Sequence, residues 1–307
     1  MAVPGNLTAL VPAYNTMLNA ELALQQKDSK LVGTVTTGPL NGEYDSVPIP
    51  TKRSMRPQGS THEQLTPKES TVKWRRVKSS PWIDDAWFSN YQQIRSMLVN
   101  YASMYAQQQA MAANRTTDDI ILAGLLGDAE EGADSKTFTA VPFDTSAYTN
   151  PTTGGAKLAM KPVWKAGINK LRRVLKENRI NPSECTLATT SYAMQKLLDD
   201  GANQPWWNNT NSAVSEIIRS GEMGQLFGMN FVEIESTRLD ESAAGSNKNY
   251  GVLYWKPAAK LLVAKEASVE IRKPEDRVDS YFLLQHLDKG LSRLVDRGVF
   301  LVEWDLS

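Results

Sequence analysis

The residue types that most often do chemistry in proteins are scarce in this sequence. Its 307 residues include one cysteine, Cys185, and two histidines, His62 and His286, which lie far apart in the chain. Zinc sites in proteins are built from three or four such ligands held close together, so these residues do not form a zinc framework. Cys185 falls in a segment that predicts a short strand, where we expect a small buried residue and no nucleophile. We expect His286 to be a half-buried structural residue.

Carboxylates occur as adjacent pairs, and a carboxylate pair is one arrangement that can provide a general acid and a general base. The pairs are Asp84–Asp85, Asp118–Asp119, Glu130–Glu131 and Asp199–Asp200. Each pair falls where the sequence predicts a turn or the start of a helix, and the helix dipole favours acidic residues at a helix start. We therefore expect these residues to cap helices or to face water, and we assign no catalytic residue.

Gly221, Gly224 and Gly228 form a glycine-rich turn whose surroundings do not fit a nucleotide site. A phosphate-binding loop would continue with Lys-Ser or Lys-Thr, and neither pair follows these glycines. A dinucleotide fingerprint needs a strand before its glycines and a helix after them, whereas here the predicted strand FVEIE comes after the glycines. The sequence thus predicts no catalytic, cofactor-binding or metal-binding residue, and it argues against an enzyme.

Composition argues against several other classes of protein. Lys plus Arg number 34 and equal Asp plus Glu, so no global charge favours nucleic acid or acidic lipid as a partner. No apolar run approaches the ~20 residues that cross a bilayer. The segment MAVPGNLTALVPAYN lacks the pattern of a secretory signal. A single cysteine fits a reducing compartment.

The element around which the chain is organised is a long helix, predicted between Ala86 and Gly127. Bulky apolar residues recur there every three or four positions, which places them on one stripe of a helix. The stripe comprises Phe88, Tyr91, Ile94, Leu98, Tyr101, Met104 or Tyr105, and Met111. From Ala86 to Asn114 alone, a rise of about 1.5 Å per residue gives a rod roughly 40 Å long. The segment Thr116–Asp119 either caps a second helix or lies inside a single kinked one.

The chain before this helix predicts extended structure. Residues 1–30 predict an arm with one amphipathic helix, and residues 31–50 predict extended chain with turns. Residues 43–83 predict a two-stranded loop whose tip projects, because residues 51–73 contain almost no bulky apolar side chain. Between Thr51 and Lys78, eight Lys and Arg stand against two Glu. Such a loop is either simply solvated or docks onto an acidic surface.

The chain after the long helix predicts alternating helices and strands. A polar connector, Asp128–Gly155, marks a boundary. Beyond it, KPVWKAGINKLRRVLKEN predicts a helix, and ECTLATT predicts a short strand. Thr190 or Ser191 is expected to cap the next helix.

The last part of the chain predicts strands. Alternating apolar residues begin at Tyr250, and we expect Val252 and Tyr254 to lie in one strand pair with Leu261 and Val263.

This order of elements resembles that of the major capsid proteins of tailed bacteriophages, which share the Hong Kong ninety-seven phage fold. Three segments carry the resemblance: AANRTTDDIILAGLLG, SGEMGQLFGMNFVEIES and NYGVLYWKPAAKLLVA. In architecture it covers essentially the whole chain. It implies an α+β fold with an N-terminal arm at 1–42, an extended two-stranded loop at 43–83, a peripheral domain with a long spine helix at 84–155, an α/β axial domain at 156–262, and returning strands of the peripheral domain and axial-domain edge at 263–307.

The resemblance implies a structural protein that self-assembles into the icosahedral capsid shell around the phage genome, without cofactors. Its main partner is then itself, in pentamers and hexamers held through the arm, the extended loop and the axial domain. Further implied partners are a portal, in some relatives a cement protein, and packaged DNA by non-specific contact, with no membrane. Because the sequence enters the arm almost at once, we also expect a separate scaffolding protein. The implied location is the virion, after assembly in the host bacterial cytoplasm.

On this interpretation, certain exposed side chains contact neighbouring subunits. We expect Arg75 and Arg76 to make forked contacts with carboxylates of a neighbour. We expect Trp206 and Trp207, which lie in a polar loop, to pack at a subunit contact. Two other classes stay open: another virion structural protein of the tail or a minor capsid component, and a soluble α/β enzyme or ligand-binding protein.

Overall fold

The computed structural model describes the chain in segments, and all statements below concern these residues. They are 29–40, 42–50, 72–89, 101–134, 136–150, 155–160, 164–191, 193–195, 225–226, 228–235, 248–272 and 280–305. The helices are α1 (Tyr101–Leu126) and α2 (Trp164–Glu177). The strands are β1 (Thr36–Pro39), β2 (Tyr44–Pro50), β3 (Val72–Lys78), β4 (Ser80–Ser89), β5 (Ala129–Gly132), β6 (Thr139–Val141), β7 (Lys157–Met160), β8 (Cys185–Thr190), β9 (Gln225–Leu226), β10 (Met229–Ile234), β11 (Lys248–Trp255), β12 (Ala259–Arg272), β13 (Ser280–Arg293) and β14 (Val299–Asp305).

The described strands form three sheets. A six-stranded sheet has the order β7-β14-β11-β8-β10-β9. A four-stranded sheet has the order β1-β12-β13-β4, and a second has the order β2-β3-β5-β6. Parallel and antiparallel pairs are mixed, since β8 pairs parallel with β10 but antiparallel with β11. The α+β class expected from the sequence is confirmed.

Helix α2 covers one face of the six-stranded sheet. Its Ile168, Leu171 and Leu175 are fully buried, as their spacing of three and four residues predicts. They share one apolar cluster with Leu187 and Leu253 from the sheet. All six residues of β8 are buried, which is typical of a central strand covered on both faces.

Helix α1 covers the opposite face of the same sheet, together with the long strands β12 and β13. Because side chains alternate along a strand, Ala188 and Val252 belong to this second cluster, with Ile121 and Leu125 from α1. The helix lies so close to β13 that a Cβ on Gly124 would stand 2.5 Å from the carbonyl oxygen of Leu291. Only glycine permits this approach.

The long helix begins later in the chain than predicted. Ala86–Ser89, predicted as its first residues, are the end of strand β4, where Phe88 pairs with Tyr281 of β13. The prediction was wrong here because pairing with a strand almost two hundred residues away overrides a local helical period. Residues 90–100, with Tyr91, Ile94 and Leu98, lie outside the described segments. Thr116–Asp119 lie inside one continuous helix that ends at Leu126.

Two further predictions need correction. The connector Asp128–Gly155 includes strands β5 and β6, which extend the sheet of the β2–β3 hairpin. Val252 and Tyr254 lie in β11, whereas Leu261 and Val263 lie in β12, and these strands belong to different sheets. The reason is the short 3-10 turn between β11 and β12, which passes the chain to the second sheet and does not fold it back as a hairpin.

Other local predictions are confirmed. Strands β2 and β3 pair antiparallel from Tyr44–Lys78 to Pro50–Val72, so the predicted two-stranded loop exists, while its tip at 51–71 lies outside the described residues. The hydroxyl of Thr190 accepts a hydrogen bond from the backbone N–H of Ala193 at 3.4 Å, as expected of a helix cap. The expected domain boundaries after residues 83 and 262 fall within β4 and β12. The division into domains stays a prediction.

Candidate functional site

Several ion pairs of the described residues lie close together, where the base of the β2–β3 hairpin meets the end of α1 and the turn between β13 and β14. We call this cluster the hairpin joint. It comprises Lys73, Arg75, Arg76 and Lys78 of β3, Glu130 and Glu131 of β5, and Arg293 and Asp296.

The register between β3 and β5 creates the first part of the joint. Arg75 lies opposite Glu131, and Arg76 lies opposite Glu130. Opposite charges directly across two strands attract each other. The Arg75 guanidinium lies 2.7 Å from Glu131, and Glu130 binds both Arg76 and Lys78, the latter at 2.6 Å. The carboxylates of β5 thus fasten the hairpin to the body of the same chain.

A second carboxylate links the hairpin to the rest of the fold. Asp296 accepts from Arg75 Nη2 at 2.5 Å and from Arg293 Nε at 2.7 Å. The side chain of Arg75 is only 5% exposed. A buried guanidinium is tolerated when it is paired, so Glu131 and Asp296 are needed to keep Arg75 inside.

Arg293 connects the joint to the end of α1. It is 1% exposed, and its Nη1 donates to the carbonyls of Leu125 at 3.0 Å and Gly127 at 2.8 Å. The last carbonyls of a helix lack partners within the helix and carry partial negative charge. Arg293 satisfies them, and its guanidinium also stacks 5.1 Å from the ring of Phe143.

These contacts overturn the expectation that Arg75 and Arg76 bind carboxylates of a neighbouring subunit. Both bind carboxylates of their own chain. The basic residues at the base of the loop therefore stabilise the subunit. The other cations of the loop, at residues 51–71, lie outside the described segments.

The Glu130–Arg76 contact changes the protonation of both groups. The hydrogen bond from Arg76 holds the pKa of the Glu130 carboxyl below its usual value, and the same bond raises the pKa of Arg76. A lowered carboxyl pKa means that the pair stabilises the fold above the ordinary carboxyl pKa of about 4.3. This contribution is lost as the pH falls through the lowered value.

We predict that a double-mutant cycle will detect this pair. The coupling free energy between Arg76→Gln and Glu130→Gln should be up to about 1 kcal/mol at neutral pH, because both groups are partly exposed. It should vanish in acid, when Glu130 is protonated. Urea unfolding at several pH values measures it. The cycle for the exposed pair Arg173–Glu177, 3.3 Å apart on α2, is the control and should give a smaller coupling. A pH-independent coupling for Arg76 and Glu130 would contradict the assignment.

Asp118 fixes the first described residues of the chain onto α1. This aspartate lies in the middle of the helix, is 2% exposed, and accepts from Ser29 Oγ at 2.5 Å and from the backbone N–H groups of Lys30 and Leu31, each at 3.1 Å. Leu31 is fully buried beside Ile121 in the second cluster. The expected role of Asp118 as a helix cap or water-facing residue is therefore wrong, because backbone groups distant in sequence surround it.

One edge of the β1-β12-β13-β4 sheet exposes two large apolar side chains. Strand β4 is the last strand of this sheet, and no described strand pairs with its outer edge. Trp82 is 48% exposed and Ile83 is 63% exposed on this strand. Exposed edge strands invite pairing with another chain, and soluble proteins usually protect them with charge or proline. Asp84 is exposed beside this pair.

The remaining candidate residues are dispersed. Cys185 is buried without a disulfide, and burial raises the pKa of its thiol to about 12, so it stays protonated. His286 is half-buried in β13, as expected. His62, Asp199, Asp200, Trp206 and Trp207 lie outside the described residues. Within the described segments, no group of three or more His, Cys, Asp or Glu could hold a metal ion. No helix found there is long and apolar enough to span a membrane.

A family model identifies the family of this chain, and solved structures show its fold. The chain matches the family model described as phage capsid protein over residues 7–305. Its fold is similar to the capsid structure of the cyanophage P-SCSP1u, with a TM-score of 0.65, 14% identity, and coverage of 92% of this chain and 90% of that chain. No curated protein sequence matches.

Two further capsid structures give the same result. The mature capsid of bacteriophage PhiM1 has a TM-score of 0.63 at 12% identity, covering 90% of this chain and 87% of that chain. The capsid of Ralstonia phage GP4 has a TM-score of 0.61 at 12% identity, covering 92% of each chain. The chain therefore belongs to the phage capsid protein family and is a structural protein of the capsid shell, with the Hong Kong ninety-seven fold.

Proposed function

We propose that this protein is the principal shell subunit, that it assembles into pentamers and hexamers that close into an icosahedral shell, and that it has no enzymatic role. The observation that carries the proposal is the near-complete coverage of both this chain and the capsid chains it resembles. A chain that is almost entirely shell fold has little sequence left for a separate activity.

Exposed apolar surface also supports self-association. Trp82 and Ile83 lie on an unpaired edge among the described strands, next to a small cleft formed with Ala112 and Thr116 of α1. Large exposed apolar residues are typical of interaction sites. The binding free energy of each subunit contact can be small, because a closed shell repeats the same contact at every copy of the subunit.

The other partners in this proposal are those expected in the sequence analysis. They are a separate scaffolding protein, a portal, in some relatives a cement protein, and packaged DNA. We place assembly in the host bacterial cytoplasm. Contacts between subunits would run through the N-terminal arm, the tip of the extended loop and the axial domain.

Electron microscopy of the purified protein, with and without co-expressed scaffolding protein, tests the proposal. We expect capsomers or thin closed shells. Tubes or rings would favour a tail or other virion component instead. Dispersed particles that remain monomeric at high concentration under both conditions would contradict the proposal, and a ligand that raises their melting temperature would then indicate a soluble binding protein.

The exposed edge of β4 gives a sharper prediction. Ile83→Lys places a charge on the apolar edge, and charged edge residues oppose strand pairing. We expect the variant to unfold like the wild type, because Ile83 is 63% exposed, but to form few shells. Ser183→Lys introduces a lysine at an exposed position outside β4 and serves as the control. Normal shells from Ile83→Lys, by sedimentation and microscopy, would exclude this edge as a contact.

A further inference from the structure

The outward-facing side of α2 is strongly basic in a chain whose net charge is zero. Between Trp164 and Arg179 the sequence has six Lys or Arg and one Glu. The single acidic residue, Glu177, pairs with Arg173. Arg172, Lys176 and Arg179 are exposed and form no ion pair with any described residue. We call these three residues, with Arg173 and Asn169, the α2 basic face.

The packing of α2 fixes the direction of this face. Ile168, Leu171 and Leu175 are buried in the first apolar cluster, so positions between them must point away from the sheet. Arg172 and Lys176 are one helical turn apart, about 6 Å along the axis. Together with Asn169, Arg173 and Glu177 they line a shallow open depression of 520 Å³.

Arg179 lies just beyond the end of α2 and extends the row of basic residues. It occupies a backbone position that usually holds glycine. Its φ is 62°, and it is the one non-glycine residue of the described chain with a positive φ. Ile180 N–H donates to Leu175 and Arg179 N–H donates to Lys176, which is the hydrogen-bond pattern of a helix end where glycine is usual. Glycine would relieve the backbone strain at this position, so the arginine side chain extends the basic row at a cost in stability.

The composition of the face indicates the kind of partner. The side chains that line the depression, Asn169, Arg172, Arg173, Lys176 and Glu177, include no aliphatic or aromatic residue. Protein interfaces are built around apolar and aromatic anchors, and Lys is depleted from them. A polyanion needs no such anchor, because neutralising phosphates releases counterions and supplies the binding free energy. The face therefore fits nucleic acid better than an acidic protein segment.

We infer that the α2 basic face binds the phosphate backbone of double-stranded DNA without reading its sequence. The inference rests on the proposed function, since a shell subunit encloses DNA. It adds to that function by assigning the contact to Arg172, Lys176 and Arg179. The spacing of these three cations along the chain determines which phosphates they contact, and no side chain has to contact a base.

The test measures how DNA binding depends on salt. Fluorescence anisotropy of a short labelled duplex of mixed sequence is recorded with unassembled wild-type protein between about 50 and 200 mM salt. The variant R172Q/K176Q/R179Q loses three contacts, so the slope of log K against log salt should become shallower by about 2–3. The control K136Q/K265Q/R297Q removes the same charge from exposed positions elsewhere, and it should keep the wild-type slope.

The outcomes separate this inference from the proposed function. Equal slopes for the two triple variants overturn the inference, whether or not shells form. Binding of polyglutamate, measured in the same way, is the second arm. If R172Q/K176Q/R179Q loses polyglutamate binding while its DNA slope is unchanged, the face binds an acidic protein and the inference is wrong. Shell formation is scored by microscopy on all three proteins, so a failure to assemble is recorded independently of DNA binding.

Discussion

Arg293→Ala is expected to destabilise the subunit more than any other single change considered for this protein. The substitution leaves the carbonyls of Leu125, Gly127 and Val141 without their donor and removes one partner of Asp296. Asp296 is 46% exposed and water can replace its lost partner, so the cost comes mainly from the carbonyls, at about 1–3 kcal/mol for each group left unsatisfied. The loss should appear as a lower urea midpoint in unfolding followed by tryptophan fluorescence.

Two variants make this prediction specific. Arg297→Ala removes an exposed arginine from the adjacent turn and should change stability by less than about 0.5 kcal/mol. Arg293→Lys keeps the positive charge but not the planar guanidinium, so its loss of stability should lie between those of Arg297→Ala and Arg293→Ala. If Arg293→Ala yields no soluble protein, Arg293→Lys still allows the measurement. Stability within error of the wild type for Arg293→Lys and Arg293→Ala would show that the joint does not stabilise the fold.

The loss of Arg293 should also be transmitted to the hairpin. Asp296 binds Arg293 and Arg75 together, so removing Arg293 leaves Arg75 with a less well-positioned carboxylate. We therefore expect Arg293→Ala and Arg75→Ala to be non-additive, as residues of one network usually are. Additive losses would mean that the two arginines act separately.

Asp118→Ala is expected to have the second largest effect and to act on a different part of the fold. It removes the acceptor for Ser29 Oγ and for the backbone N–H groups of Lys30 and Leu31. Leaving a buried donor without an acceptor costs about 1–3 kcal/mol. Besides this loss of stability, residues 29–31 should detach from α1 more often, which exposes the bond after Lys30.

Limited trypsin digestion distinguishes this local detachment from a general loss of stability. Cleavage after Lys30 should be faster in Asp118→Ala than in the wild type under conditions where the protein stays folded. Asp118→Asn keeps one acceptor oxygen and should be affected less. The control is Asp119→Ala, at the exposed neighbouring position. Unchanged cleavage after Lys30 in Asp118→Ala would contradict the proposed anchoring role.

Local elements with a clear period could be predicted from the sequence. The buried face of α2 follows from Ile168, Leu171 and Leu175, and strand β8 follows from a short segment between a turn and a helix cap. The two strands of the hairpin follow from β-branched and aromatic residues bounded by turns. These predictions succeed because the period of burial is a property of a single element.

Contacts between distant residues could not be predicted in this way. Arg75 and Asp296 are separated by 221 positions, and Ser29 and Asp118 by 89. The residues around Arg75 or Ser29 do not indicate which distant side chain each one contacts. A weak signal did exist for Asp118: neither glycine nor proline interrupts the chain from Ala86 to Ala123, which favours one continuous helix over a second helix that begins at Thr116–Asp119.

The sequence by itself determined the α+β class, the buried face of α2, strand β8 and the two strands of the hairpin. Only the tertiary structure decided that Ala86–Ser89 form a strand, that Arg75 and Arg76 bind carboxylates of their own chain, and that Asp118 is buried. The physical reason is that the spacing of apolar side chains is a property of one helix or strand. Strand pairing and the burial of a charged side chain depend instead on hydrogen-bond and ion-pair partners that are distant in the sequence.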